Sequence, residues 1–375
     1  MKLETICVHG SSVETYSGAV SFPIFQSATF AHPGGVSTGY DYSRLQNPTR
    51  ANLESVVAAL EGGADALAFS SGMAAMSALM ELFKPGDHIV ASADLYGGSI
   101  RLFDNVSVKN GVSVDYADTS DLATTAALIR PNTAALFIET PTNPMMHVTD
   151  LAAAAKLAKA HNILLIVDNT FLTPYFCRPI ELGADIVVHS GTKFLGGHND
   201  TLAGFLVAAT SEISERLRFV FKTTGACLSP FDSFLITRGI KTLALRMERS
   251  QSNALEIAKV LERHLKVKKI YYVGLETHPS YELSRRQAAG FGAMISFETD
   301  SEQTAKNVLT RLKLVLFAES LGGTETLITY PVTQTHADVP EQQRLERGIN
   351  GRLLRLSVGV ENAADIIQDL EQALL

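Results

Sequence analysis

The chain has 375 residues, 46% hydrophobic and 19% charged, with a formal net charge of −7. That is the profile of an ordinary soluble globular protein, long enough for two or three domains. The acidic balance and the lack of a Lys/Arg-rich run argue against nucleic acid as the main partner, and no apolar run approaches the ~18 residues of a membrane span. Three scattered cysteines, Cys7, Cys177 and Cys227, suggest neither a disulfide framework nor a zinc site. With no signal-peptide h-region at Met1–Thr5, reduced thiols in the cytoplasm are the plain expectation.

Residues 1–48 are punctuated by Gly18, Pro23, Pro33, Gly34, Gly35, Gly39 and Pro48 and show no sustained helical period. Such a segment cannot bury a core of its own, so it is expected to extend over a neighbouring subunit. Helix-like and strand-like runs then alternate. Helices are expected at Leu53–Leu60, Met73–Phe83, Gly97–Lys109, Leu122–Ile129 and Leu151–His161. Strands are expected at Ala66–Phe69, His88–Ala91, Val112–Tyr116, Ala134–Ile138, Ile163–Val167, Ile186–Val188 and Gly204–Ala208. This alternation predicts an α/β domain over 49–238, built on a mostly parallel central sheet with helices on both faces. Near Arg238-Gly239 the character changes. A long helical pattern, Leu243–His264, leads to strands at Ile270–Val273, Ala293–Phe297 and Leu353–Val358, with helices at Thr304–Leu312 and Ala363–Leu374. A smaller α+β domain over 239–375 is expected.

Asp168 ends one buried apolar strand pattern, and Lys193 follows another, Ala184–Thr192. Both would emerge at strand C-terminal ends, where α/β sheets bind ligands. A buried amine that bonds to an aldehyde and a carboxylate that keeps a pyridine nitrogen protonated are the two groups that pyridoxal phosphate (PLP) chemistry requires. Ser70-Ser71-Gly72-Met73 sits between a strand and a helix, where backbone amides can approach a phosphate or Ser can simply cap the helix. Ser190 and Thr192 directly precede the lysine and could converge on the same phosphate or stand solvated in a loop. Tyr96, after another strand, can stack on a cofactor ring and take part in proton transfer, or pack against a loop. Asn143 suits a ligand carboxylate or phenolate oxygen, although Asn-Pro is also a common turn. Arg355 lies inside the apolar run Leu353–Ser357 and must meet a carboxylate, from substrate or protein.

These stretches, taken together, resemble the Cys/Met metabolism PLP-dependent family, the transsulfuration enzymes. The matching segments are Tyr42-Ser43-Arg44 with Asn47–Arg50, Ser70–Ala75, Asp94–Gly98, Glu139–Pro144, Asp168–Phe171, His189–Gly197, Ser320–Gly323 and Arg355–Gly359. They span nearly the whole chain in family order. The resemblance implies PLP-dependent fold type I (aspartate aminotransferase-like) architecture and a homotetramer built from dimers that share active sites. It assigns Lys193 as the Schiff-base lysine and proton carrier, Asp168 as the partner of the pyridinium nitrogen and Tyr96 as the stacking ring. Gly72, Met73, Ser190 and Thr192 would bind phosphate within the subunit, and Tyr42 and Arg44 would complete the neighbouring subunit's phosphate site. Arg355 would clamp an amino-acid substrate's carboxylate, helped by Ser320 and Asn143.

Within the family, Gly98 stands where methionine γ-lyases carry a cysteine, and Glu319 stands where β-lyases usually lack a Glu. Gly196–Asp200 with Tyr330–His336 most resembles bacterial cystathionine γ-synthases that also act as O-acetylhomoserine thiol-lyases. The implied activity is γ-replacement on an O-acylhomoserine by cysteine or sulfide, with Glu319 holding the distal ammonium of cysteine. The alternative is cystathionine γ-lyase, and less so the β-lyase. Gly191 departs from the Ala usual in the lysine motif.

Overall fold

A computed structural model describes residues 1–10, 16–337 and 339–375; residues 11–15 of the N-terminal segment lie outside the described residues. Seven strands form the larger sheet: β1 (Asp65–Phe69), β2 (His88–Ser92), β3 (Ser113–Ala117), β4 (Thr133–Glu139), β5 (Leu164–Asp168), β6 (Ile186–Ser190) and β7 (Gly204–Ala208). Their order is β1-β7-β6-β5-β4-β2-β3, and only β7 runs against its neighbours. Every strand expected before residue 209 falls on one of these. The runs at β5 and β6 are apolar without alternation because side chains pack against both faces of the sheet. Phe69, Phe137, Ile166 and Val188 belong to one cluster. Leu136, Val167 and Val187 belong to the other, which continues through Met247 and Ile257 to Phe297 and Leu356 of the second sheet.

That smaller sheet comprises β8 (Val267–Tyr271), β9 (Met294–Thr299), β10 (Leu316–Phe317), β11 (Leu327–Thr329) and β12 (Leu353–Ser357), in the order β10-β11-β12-β9-β8. It is antiparallel except between β10 and β11.

The N-terminal expectation needs one correction. Leu3–His9 forms a helix, α1, which packs on α2 (Pro48–Glu61) and on the helix Leu243–Arg263, burying Cys7. Two turns are too short for a helical period to stand out, yet Leu3, Ile6 and Cys7 share one face. From Tyr16 to Gln46 the chain has only short 3-10 turns and one bridge, Thr29 to Tyr42, and is largely exposed. β8 begins three residues before the expected strand. The helices Ser211–Thr224 and Pro230–Ile240 and the strands β10 and β11 lie in stretches that the periodicity left unassigned.

Arg246, on the helix Leu243–Arg263, fixes the turn that carries Lys193. Its buried guanidinium donates to the carbonyls of Phe194 (2.7 Å) and Gly239 (2.8 Å) and to Thr242 Oγ1 (3.1 Å). Burial holds its pKa down to about 10. Gly197 makes room for it: φ is +72°, and a Cβ there would lie 2.0 Å from Arg246 Nη1. Gly197→Ala is therefore expected to cost about 2 kcal/mol or more, from left-handed backbone (~1–2 kcal/mol) and overpacking (~1–3 kcal/mol). A thermal melt checks this. A melting temperature unchanged from the parent protein would contradict the packing.

Candidate active site

The C-terminal ends of β4, β5 and β6 open into a cleft of about 860 Å³ of empty space. Its wall brings together eight of the residues singled out from the sequence: Gly72, Met73, Tyr96, Asn143, Asp168, Ser190, Thr192 and Lys193. At one end, Ser71 caps α3 (Gly72–Met80), its Oγ accepting from the Ala74 amide at 3.0 Å. The Gly72 and Met73 amides donate to no described group, which leaves the first turn open to an anion. Gly72 lies close against Ser190, where a Cβ would make a tight contact of 3.1 Å with Ser190 Cβ. Thr192 is partly committed elsewhere: its hydroxyl donates to the Ala203 carbonyl and accepts from the Ala203 amide.

At the centre, Asp168 Oδ1 accepts from the Thr170 amide at 3.0 Å. Burial raises the Asp168 pKa, opposed by the Thr170 hydrogen bonds and by His189. In the β4–β5 register its direct neighbour is Glu139. Burial, and then the Asp168 charge, push the Glu139 carboxyl well above the ordinary range. Glu139 Oε2 accepts from the Tyr96 amide at 3.0 Å and holds the Tyr96 loop. Burial and then the nearby Glu319 raise the pKa of the Tyr96 phenol.

Lys193 Nζ donates to Ser320 Oγ at 2.9 Å. Burial first, and the Arg355 cation second, bring its pKa down to about 8. Ser320 itself has φ +153°, a conformation rarely adopted by residues other than Gly. Gly322 lets this loop close on the lysine turn: a Cβ there would meet the Phe194 amide nitrogen at 2.6 Å. Arg355 is 1% exposed, and burial brings its pKa down to about 10. It donates to Asn143 Oδ1 (2.8 Å), the Ser320 carbonyl (3.1 Å) and Thr329 Oγ1 (3.0 Å), while Nε has no protein partner. No described carboxylate forms an ion pair with it.

Glu319 lines an adjoining cavity with Ser320, Asp200 and Glu325, which shares Thr192 and Leu202 with the cleft. Tyr42 and Arg44 do not reach this chain's cleft. Arg44 bonds to the Lys222 carbonyl and lies over the Tyr42 ring. Gly191 has a packing reason, because a Cβ would meet the Phe205 ring at 2.4 Å. So has Gly98, where a Cβ would lie 2.4 Å from the Tyr96 ring. The roles of Glu139 and Thr329 escaped the sequence reading, since each depends on strand register rather than on local pattern; that of Thr170 is a local turn contact two residues beyond Asp168.

The residues present fit PLP: unengaged amides at a helix N-terminus with Ser190 beside them, a half-buried carboxylate at the end of β5, and an amine of lowered pKa. The family described as Cys/Met metabolism PLP-dependent enzyme matches residues 4–375. Cystathionine gamma-lyase of Bacillus subtilis (strain 168) is 50% identical, covering 100% of this chain and 99% of the relative. Cystathionine gamma-synthase of Haemophilus influenzae is 49% identical over 97% of this chain and 95% of its own. Cystathionine beta-lyase of Lactococcus lactis subsp. lactis is 46% identical over 99% and 98%. The crystal structure of cystathionine gamma-lyase from Lactobacillus plantarum complexed with L-serine superposes with a TM-score of 0.96 at 44% identity, covering 100% of this chain and 98% of that one. The chain belongs to the Cys/Met metabolism PLP-dependent enzyme family and has its fold type I architecture.

Proposed function

We propose that this transsulfuration-family enzyme catalyses γ-replacement on an O-acylhomoserine, joining cysteine to give cystathionine, or sulfide to give homocysteine. PLP, when bound, supplies an aldehyde for an amine and a ring that accepts electrons from Cα. Lys193 would hold that aldehyde until a substrate amine takes its place, and its freed amine would then carry protons: it takes the one on Cα, gives it up, and takes one from Cβ, so that the γ-acyloxy group can leave. Asp168 would keep the ring nitrogen protonated, and Tyr96 would stack on the ring. Arg355 binds the substrate carboxylate, with Asn143 and Ser320 orienting it. Glu319 carries the choice of reaction. It has no hydrogen bond or ion pair with any described residue, and it faces the cavity beside Ser320. A free carboxylate there suits the ammonium of cysteine as acceptor.

A second reading, γ-elimination from cystathionine to cysteine, 2-oxobutyrate and ammonia, is favoured by the 50% identity to a cystathionine gamma-lyase. A panel of O-acetyl-, O-succinyl- and O-phosphohomoserine with cysteine or sulfide, run against cystathionine alone, separates the two. Replacement is expected to exceed elimination at least about tenfold, a barrier difference of about 1.4 kcal/mol. Faster release of 2-oxobutyrate from cystathionine would establish the lyase instead, and pyruvate as main product a β-lyase. Glu319→Ala is expected to raise KM for cysteine roughly tenfold, to leave KM for the homoserine ester nearly unchanged and to spare sulfide, which has no ammonium.

The lowered pKa of Lys193 gives a pH expectation. The neutral amine is the form that bonds to the aldehyde, so the rate at which apoenzyme captures PLP should rise with pH and level off above about 8. Arg355→Gln removes the cation that helps depress Lys193, so the midpoint should move up. A stopped-flow pH series measures both, and a downward move would contradict the assignment.

Tyr42 and Arg44 are proposed to complete the phosphate site of a second copy of the chain within a homotetramer. Their exposure and their distance from their own cleft support this. Lys193→Ala should abolish turnover and Arg44→Ala should weaken PLP retention. Mixed and re-dimerised, the two should regain activity, because one site of each hybrid has both groups intact. Inactive hybrids, with hybrid formation shown by mass, would remove the shared site.

A further inference from the structure

Behind the sheet lies a buried polar cluster that none of the chemistry above uses. Asp168, Val188 and Ser190 line the cleft, so strand alternation turns His189 to the opposite face. There His189 Nε2 meets Glu61 Oε1 at 2.5 Å, and both residues are 0% exposed. The same oxygen accepts from Asn169 Nδ2 at 2.9 Å, and Asn169 Nδ2 also donates to the Cys177 carbonyl at 2.7 Å. The Asn169 amide donates to the Val188 carbonyl at 3.0 Å, which ties the end of β5 to β6. One carboxylate oxygen of α2 thus grips the chain one residue beyond Asp168 and one residue before Ser190. These neighbours contact opposite ends of the cofactor in the reading given above.

A carboxylate and an imidazole taken wholly out of water cost stability unless the geometry repays it, and a pair of apolar side chains would fill the same space more cheaply. Glu61 also closes α2, whose first turn follows the segment bearing Tyr42 and Arg44. We propose that Glu61 is a positioning residue: through Asn169 and His189 it sets the spacing between Asp168 and Ser190, and with it the affinity for PLP. The effect works through the two strand ends, without Glu61 touching the cofactor. It should therefore appear in cofactor binding before any substrate is present.

Apo forms of the full-length protein, wild type, Glu61→Gln, Asn169→Ala and the double variant, are titrated with PLP and followed by visible absorption, alongside thermal melts of the same apo forms. Each single variant is expected to raise the Kd for PLP at least tenfold and to weaken the visible band of the lysine-bound cofactor. The double variant should be no worse than the poorer single, since both break one link. A Kd within twofold of wild type, or additive losses in the double variant, would overturn the proposal. So would a lowered apo melting temperature with unchanged affinity, which would leave Glu61 a purely structural role. Should Glu61→Gln fail to fold, His189→Asn with Asn169→Ala carries the same test under the same criteria. The proposal rests on the assignment of Asp168 to the ring nitrogen, which Asp168→Asn tests alone. If that variant keeps wild-type affinity and spectrum, the assignment fails, whatever Glu61→Gln does.

Discussion

The site depends on charged groups that the protein hydrogen-bonds but does not ion-pair. Arg355 is buried on β12, while Asp168 and Lys193 stand half-buried at the end of β5 and just beyond β6, and none forms an ion pair with another described residue. Taking a charge out of water is costly, and the pKa directions show where the cost falls: both cations are pushed down and the carboxylate up, only partly offset by Glu319 on the cations and by Thr170 on Asp168. Ligands with the opposite charges remove that cost. In the proposed reading, a protonated ring nitrogen would offset Asp168 and a substrate carboxylate would offset Arg355, so that part of the binding energy for each would come from relieving that cost.

Glycines allow the chain to hold these groups so close together. Gly322 brings the Ser320 loop against the turn of Lys193, Gly197 accepts the Arg246 guanidinium, and Gly72 accepts Ser190. Each replaces a Cβ contact with backbone proximity, so the loop of the smaller sheet, the lysine turn and the first turn of α3 meet within one cleft. The Arg246 bonds to Phe194 and Gly239 then tie the lysine turn to the long helix, as the Lys193–Ser320 bond ties it to the Ser320 loop. The lysine is held between the two sheets of the molecule.

Much of this was legible in the sequence, for a physical reason. Asp168 and Lys193 follow short apolar runs, and in a parallel sheet such runs must be buried and must present their C-terminal ends to a ligand. Arg355 was legible because a cation inside an apolar strand demands a partner, and the structure gives it three neutral hydrogen-bond acceptors and no ion pair among the described residues. The fold followed from regular alternation of period, which fails where elements are short. The two turns of α1, the two residues of β10 and the three of β11 are too brief to establish any period.

What the sequence conceals is register. Glu139 and Asp168 are adjacent only because β4 and β5 pair in one particular alignment, after a crossover through the helix Leu151–Ala160. Nothing local to either residue announces the other. Glu61 is a stronger case, because a Glu near the end of an amphipathic helix has the pattern of a solvated surface charge. Its burial arises because α2 packs on β1, β7 and the helix Pro230–Ile240, which brings its last residue against Asn169 and His189, more than a hundred residues away along the chain. Local pattern therefore identifies the groups that face a ligand, since their chemistry is anomalous where they stand. The groups that hold them look ordinary in sequence and acquire their role only when the sheet is assembled.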